Sequence, residues 1–167
     1  MQTRTSKMTS QNFKKENKAY QYIPPHTKMI FDYGCGRFKN NKDYCENKGI
    51  EWYGYDPYWK EDIENQKVLS FIEKNKDKLD CIVCSNVLNV IDNNEEVEKI
   101  ISYLANISNS NTIVVFSCYR GDGTSIGKET KKDCWQRNEK PQIWKKRLSK
   151  YFNVMYNITD IFICKKR

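Results

Sequence analysis

The feature that most constrains this chain is a regular alternation, in which short apolar runs closed by polar or glycine-containing turns take turns with longer stretches of helical spacing. Residues 29–32, 52–55, 81–84 and 112–117 are such runs and read as strands. Between them, residues 41–48 carry helical spacing and stop at Gly49, a residue suited to the turn beyond a helix end. Residues 61–78 read as mostly helix, with a short edge strand at Val68-Leu69. In residues 95–105, Val97, Ile100, Ile101 and Leu104 fall on one helical face. Residues 142–151 repeat the pattern with Ile143, Trp144 and Leu148, and residues 154–158 and 161–164 end the chain as a strand pair. Apolar strands alternating with helices predict an α/β fold built on a mainly parallel sheet with helices on both faces. Such a sheet takes ligands beyond the carboxyl ends of its strands, so the loops after Asp32, Asp56, Ser85 and Ser117 are where chemistry is expected.

A length of 167 residues suits one compact domain. No apolar run approaches the roughly 20 residues of a membrane span. The first 28 residues are polar and basic, unlike a secretory signal. A cytoplasmic protein with reduced thiols is therefore expected. The seven cysteines fit that compartment, being odd in number and irregular in spacing. Cys81 and Cys84 form a C-x-x-C, but they lie on a predicted strand, where residues three apart point to opposite faces. With no second such pair and His26 as the one histidine, no metal site is expected.

The net charge of +8 is unevenly spread. Residues 1–28 hold six basic side chains against one acidic, and residues 128–150 hold nine against three, around an acidic middle. Two readings stand side by side: contact with a polyanion, and the plain Asn/Lys/Ile-rich bias of the whole chain. The domain organisation expected is a basic arm over residues 1–28 and one domain over residues 29–167. Within the latter, residues 119–141 form a lid or substrate-facing segment rich in glycine and then in lysine.

The first strand-end loop reads Asp32-Tyr33-Gly34-Cys35-Gly36. Glycines one apart after a strand let the backbone turn sharply and come close to a ligand. Asp56 closes the next strand, where an acid can accept hydrogen bonds from the hydroxyls of a ribose. A dinucleotide fingerprint needs a third small residue, and Lys39 stands there. An acid at Asp32 would repel a pyrophosphate yet suits a ligand carrying an ammonium group, as S-adenosylmethionine does.

These residues carry a resemblance. Asp32-Tyr-Gly-Cys-Gly36 resembles the D-x-G-x-G motif of class I methyltransferases, a Rossmann-like family whose sheet ends in an antiparallel C-terminal strand. Asp56 falls where that family has its ribose-binding acid, and residues 80–91 are similar to its fourth-strand segment. Residues 85–91 in particular resemble compact members encoded by phages and bacteria, as residues 130–138 do more weakly. The resemblance runs from about residue 29 to residue 117. It implies S-adenosyl-L-methionine as cofactor, with Asp32, Gly34 and Gly36 at its methionine end, and Asp56 on the ribose. Pro57 and Tyr58 would lie beside the adenine, and Asn86 would face the transferred methyl. Each has a plainer reading: turn glycines at Gly34 and Gly36, a turn start at Asp56-Pro57, a helix cap at Asn86.

The methyl acceptor is less defined. The place after the fourth strand reads Ser85-Asn86-Val87-Leu88, without the paired prolines of amino-methylating DNA enzymes, and no loop cysteine follows a proline. Asn86, Tyr119 and Asp122 are the candidate catalytic residues, the last two as orienting groups beyond the fifth strand. Lys131, Lys132, Trp135 and Arg137 are the candidate contacts to nucleic acid, by phosphate pairing and base stacking. The expected function is thus a methyltransferase acting on nucleic acid or another anionic acceptor. The alternatives are a non-catalytic nucleic-acid-binding module on the same fold and a nicotinamide-dependent oxidoreductase.

Overall fold

The computed structural model describes residues 16–131 and 133–167. Along the chain follow β1 (Met29–Tyr33), α1 (Asn40–Glu46), β2 (Glu51–Tyr55), α2 (Asp62–Lys74), β3 (Cys81–Ser85), α3 (Asn94–Ile107), β4 (Ile113–Ser117), β5 (Lys128–Lys131), β6 (Cys134–Gln136), α4 (Pro141–Leu148), β7 (Phe152–Ile158) and β8 (Ile161–Lys166). Six of the strands form one sheet in the order β2-β1-β3-β4-β8-β7. The first four are parallel, and β8 runs antiparallel between β4 and β7. The chain steps outward from β1 to β2, then returns past β1 to β3. The carboxyl ends of β1 and β3 therefore flank the point where the strand order reverses, the natural crevice of a Rossmann-like sheet.

The two-residue strand period divides the buried side chains between two cores. Phe31, Ile82, Cys84, Val114, Phe116 and Phe162 meet Ile72, Ile100, Leu104 and Trp144 from α2, α3 and α4. On the opposite face, Ile30, Cys81, Val83, Val115 and Ile161 meet Cys45 of α1 and Ala19 and Tyr20 of a 3-10 turn over Lys18–Tyr22. Cys81 and Cys84 thus lie in different cores and cannot converge on one ion. No cluster of metal-ligating side chains occurs among the described residues, and no described helix is long and apolar enough to cross a membrane.

α3 forms as its apolar spacing dictates. Asn93 caps it, its side chain accepting from the Glu96 N–H at 3.1 Å, and Glu95 and Glu96 stand in the first turn, where the helix dipole favours acids. Three departures from the sequence reading have local causes. Val68 and Leu69 belong to α2 and form no edge strand, because the helix runs unbroken from Asp62 to Lys74. Residues 119–141 contain the hairpin β5–β6, which pairs Lys128 with Gln136 and Glu129 with Trp135. Its first strand is polar and wholly exposed, so no apolar alternation announced it. Finally, the stretch expected as a basic arm divides: residues 1–15 lie outside the described residues, while Ala19 and Tyr20 are fully buried against the sheet.

Candidate active site

The glycine loop leaves β1 in left-handed backbone, with φ of +80° at Gly34 and +71° at Gly36. The Gly34 and Cys35 N–H groups both donate to the Tyr55 carbonyl at the end of β2, at 2.7 and 3.0 Å. A Cβ on Gly34 would strike the Val87 side chain, so the loop is packed tightly against the segment that follows β3. A Cβ on Gly36 would meet nothing within 4 Å, so that residue borders open space.

Asp56 ties this loop to the end of β2. Its Oδ2 accepts the Gly36 N–H at 2.9 Å, and its Oδ1 accepts those of Tyr58 at 2.9 Å and Trp59 at 3.1 Å. Asn65 of α2 fixes the Asp56 backbone by a reciprocal pair at 3.1 and 2.9 Å. A carboxylate offers about four acceptor positions; three are filled here, one of them by the glycine loop. Pro57 is exposed and Tyr58 half-buried beside it. The Arg37 guanidinium lies over the rings of Phe38 and Trp59, at 4.8 and 5.2 Å, and so joins the loops after β1 and β2.

Asp32 is buried at the end of β1. Its Oδ2 accepts the Tyr20 hydroxyl at 2.6 Å and the Asn41 amide at 3.0 Å, and Trp52 Nε1 donates to the Tyr20 oxygen at 3.0 Å. Asn41 in turn accepts the Asn17 N–H at 2.9 Å, and Asn17 Oδ1 accepts the Ser85 hydroxyl at 2.9 Å. One hydrogen-bonded chain thus crosses the crevice floor from β2 to β3. Burial raises the Asp32 carboxyl to about 6, while the bonds from Tyr20 and Asn41 hold it down. Burial and the neighbouring Asp32 push the Tyr20 phenol well above its usual range, so it remains a donor. Burial, with Asp32 and Asp56 nearby, likewise raises the Cys35 thiol.

Beyond β3, Asn86 takes a left-handed φ of +56°, and its N–H donates to the Ser117 carbonyl of β4 at 2.7 Å. Its side-chain oxygen is buried without a hydrogen-bond donor, as is that of Asn89 three residues on. Asn89 Nδ2 donates to Gln136 Oε1 at 3.2 Å, and Gln136 Nε2 donates to the Tyr119 carbonyl at 2.9 Å. The Tyr119 side chain is itself exposed.

Asp122 is fixed within its own loop, accepting from Lys128 at 2.7 Å and from the Thr124 hydroxyl and N–H at 2.7 and 3.0 Å. Those bonds lower its carboxyl to about 2, unsuited to taking a proton near neutrality. Arg137, expected as a phosphate contact, is buried. It donates to the Ile91 carbonyl, to Asn94 at 2.9 Å, to Glu139 at 3.1 Å and to the Asp92 carbonyl at 3.0 Å. Glu139 also takes Arg147 of α4 at 2.9 Å. Residues 136–139 are therefore anchored into the domain body, and that expectation is corrected. The Trp135 ring covers Gly127, Lys131 is exposed on β5, and Lys132 lies outside the described residues.

Asp32, Gly34, Gly36, Asp56 and Asn86 thus gather at the carboxyl ends of parallel strands. Tyr20, Asn17 and Asn41 join them unannounced by any motif, whereas Asn89 and Gln136, bonded to each other, lie in the two segments 85–91 and 130–138 that the resemblance covers. A groove of about 760 Å³ between α3 and α4, lined by Asn94, Glu98, Tyr103 and Arg147 among others, holds none of the candidate residues.

The profile of the family described as "Methyltransferase domain" matches residues 6–151. No curated protein is significantly similar to the chain in sequence. Among solved structures, it is similar to the Burkholderia thailandensis 1,6-didemethyltoxoflavin-N1-methyltransferase, solved with 1,6-didemethyltoxoflavin and S-adenosylhomocysteine bound. That match has a TM-score of 0.67 at 12% identity over 89% of this chain and 76% of that one. An S-adenosylmethionine-dependent methyltransferase from Clostridium acetobutylicum gives 0.54 at 11% identity, covering 83% and 84%. One from Archaeoglobus fulgidus gives 0.53 at 15% identity, covering 89% and 90%. At these identities the likeness is one of fold, and it coincides with the family match: the chain has the fold of S-adenosylmethionine-dependent methyltransferases and belongs to the methyltransferase-domain family.

Proposed function

We propose that this chain is an S-adenosylmethionine-dependent methyltransferase, binding its cofactor across the glycine loop with the methyl directed toward Asn86. The observation that carries the reading is the pairing of Gly36 with Asp56. The glycine borders open space where any side chain would intrude, and its N–H orients the acid at the end of the neighbouring strand. The donor set fits the group. Asp32 supplies a buried carboxylate for the ammonium of the methionine end. Asp56 keeps one acceptor position, and gains a second if Gly36 yields its bond to a ribose hydroxyl. Asp32 sits where a pyrophosphate would be repelled, which weighs against a nicotinamide cofactor.

When bound, the cofactor supplies an electrophilic methyl on a sulfonium sulfur. The chain's part is positioning, which accounts for much of the acceleration in a reaction of this kind. The tight contact of Gly34 with Val87 fixes the glycine loop against the segment after β3, and with it Asn86 against the crevice. Asp122 is held ionised in its own loop, so it serves to shape that loop. Of the residues expected to meet nucleic acid, Arg137 is committed internally. Lys131 and Trp135 remain among the described ones, and no observation favours a polyanion over a small acceptor.

Calorimetric titration with S-adenosylmethionine and S-adenosylhomocysteine, with NAD as control, tests the reading. Micromolar binding of the first two, lost in Asp56→Ala, is the expected result. A folded protein that binds neither overturns it.

A further inference from the structure

β7 closes one side of the sheet, and only its inner edge is paired. One of its faces is covered, since Phe152 and Val154 pack with Trp144 and Leu148 of α4. Met155 is an extra residue in the ladder, because Val154 pairs with Cys164 and Tyr156 already with Ile163. Cys164 and Phe162 belong to the core under α4, so Ile163 between them faces the other way. Tyr156 and Ile158, opposite Ile163 and Ile161, face that way too. There they stand uncovered: Tyr156 is 62% exposed, Ile158 42% and the bulged Met155 47%.

An unpaired edge is a template for another strand, and folded chains guard such edges with charge, proline or a covering element. The opposite edge of this sheet is guarded. β2 carries Glu51, the Tyr53 ring stacks on Phe71 of α2 at 4.4 Å, and Lys60 lies over Trp52. β7 has no such protection. Its run Phe-Asn-Val-Met-Tyr-Asn-Ile holds neither a charge nor a proline, in a chain of net charge +8. Among the described residues, no backbone hydrogen bond leaves its outer edge. The bulge is its one guard, and it shortens the run that can pair.

Charge selects the occupant and its direction. β7 offers no charged side chain by which to choose a foreign strand, whereas its uncharged run answers itself. Lys165 and Lys166 pair with Asn153 and Phe152, and the Arg167 N–H reaches the Tyr151 carbonyl, so the cations gather at the amino end of β7. Parallel pairing of two copies would set these cations side by side. Antiparallel pairing holds them apart by about 20 Å over seven residues, well beyond the screening length of about 10 Å at 0.1 M salt.

We infer that β7 is the contact between two copies of this chain, paired antiparallel about a two-fold axis so that their sheets join. The pairing uses up both open edges, and the guarded β2 offers no other, so assembly stops at two. One strand edge and three apolar side chains per copy fall short of the roughly 800 Å² a side of a tight complex. The dimer therefore forms with concentration, in the micromolar range.

Sedimentation velocity on the full chain, from about 5 to about 300 µM at 0.15 M salt, tests this by mass action. The expected result is a monomer that converts to a dimer without larger species, with β7 amides exchanging about fivefold more slowly at the highest concentration. Tyr156→Lys sets a cation on both sides of the axis and should weaken the dimer at least tenfold. Ile63→Lys, at a comparably exposed position on α2, should leave it unchanged. Should Tyr156→Lys fail to fold, amide exchange in the wild type decides. A chain still monomeric at the highest concentration overturns the inference and leaves the edge to a strand of another protein. Species beyond the dimer, a dimer that survives Tyr156→Lys or is lost equally in Ile63→Lys, or unchanged exchange in β7 overturns it as well.

Discussion

Tyr20 and Asp32 share a 2.6 Å hydrogen bond between two buried side chains, the phenol donating to the carboxylate. The partners come from a 3-10 turn and from the strand that carries the glycine loop, so the segment ahead of the sheet sets the electrostatics of the crevice. Burial, with a smaller push in the same direction from Asp56, raises the Asp32 carboxyl to about 6 against this bond and the one from Asn41. If the ionised acid receives an ammonium group, S-adenosylhomocysteine affinity should rise with pH through about 6 and then level off. Removing the donor in Tyr20→Phe should move that rise to higher pH. A merely structural role for Tyr20 would weaken binding and leave its pH midpoint in place, and calorimetry across pH 5–8 separates the two.

The same acid makes the fold pH-dependent, with a definite sign. An ordinary aspartate releases its proton near 4, and the folded protein retains it up to about 6. Between those values the folded state binds the extra proton, so this group's contribution to stability falls as pH rises. Two pH units correspond to about 3 kcal/mol. Asp32→Asn does not titrate. Its stability relative to wild type, from urea unfolding at pH 4, 5, 6 and 7, should climb by about that amount and change little above pH 7.

The two loop glycines should respond differently to the same methyl group. Gly34→Ala drives a Cβ into Val87 from a left-handed backbone, and destabilisation of about 2–4 kcal/mol is expected. Gly36→Ala meets no atom and carries the backbone cost alone, about 1 kcal/mol. Its methyl nevertheless occupies the open side of the loop. Cofactor affinity should therefore fall more than tenfold in Gly36→Ala while the fold persists, as urea titration and calorimetry on the same samples would show.

Arg137 offers a contrast between burial and exposure. Arg137→Met leaves Glu139 and Asn94 each short of one partner, though both keep Arg147, takes the guanidinium from the Ile91 and Asp92 carbonyls, and should cost about 3 kcal/mol. Lys128→Ala breaks an exposed pair and should leave the melting temperature almost unchanged. If Arg137 instead served a polyanion, its loss would lower the salt sensitivity of DNA binding at little cost in stability. Thermal melts and a salt series decide between the two.

The parts of this architecture that show in the sequence are those set by local period or by backbone demand. α3 is written in Val97, Ile100, Ile101 and Leu104, and the loop in glycines that adopt positive φ. Residue type carries no signal where partners are distant or are backbone atoms. Tyr20 lies in a stretch without period and meets Asp32 only once the sheet has formed. Arginine is seldom buried, so the sequence predicts Arg137 as a surface cation, and two of its acceptors, the carbonyls of Ile91 and Asp92, leave no trace in residue type. The β5–β6 hairpin escaped for a related reason, since its strands are joined by backbone pairing and carry no alternating apolar face.

The bond between Ser85 and Asn17 bears on how the molecule comes together in time. Its partners are 68 positions apart, and the chain that emerges between them includes β1, α1, β2 and α2. During synthesis the residues around Asn17 leave the ribosome first, yet their anchor on β3 follows much later. Contacts of such sequence separation are entropically expensive to close and form slowly. The crevice floor should therefore be among the last structures to consolidate on refolding, after the α3–β4 region has gained its protection from hydrogen exchange.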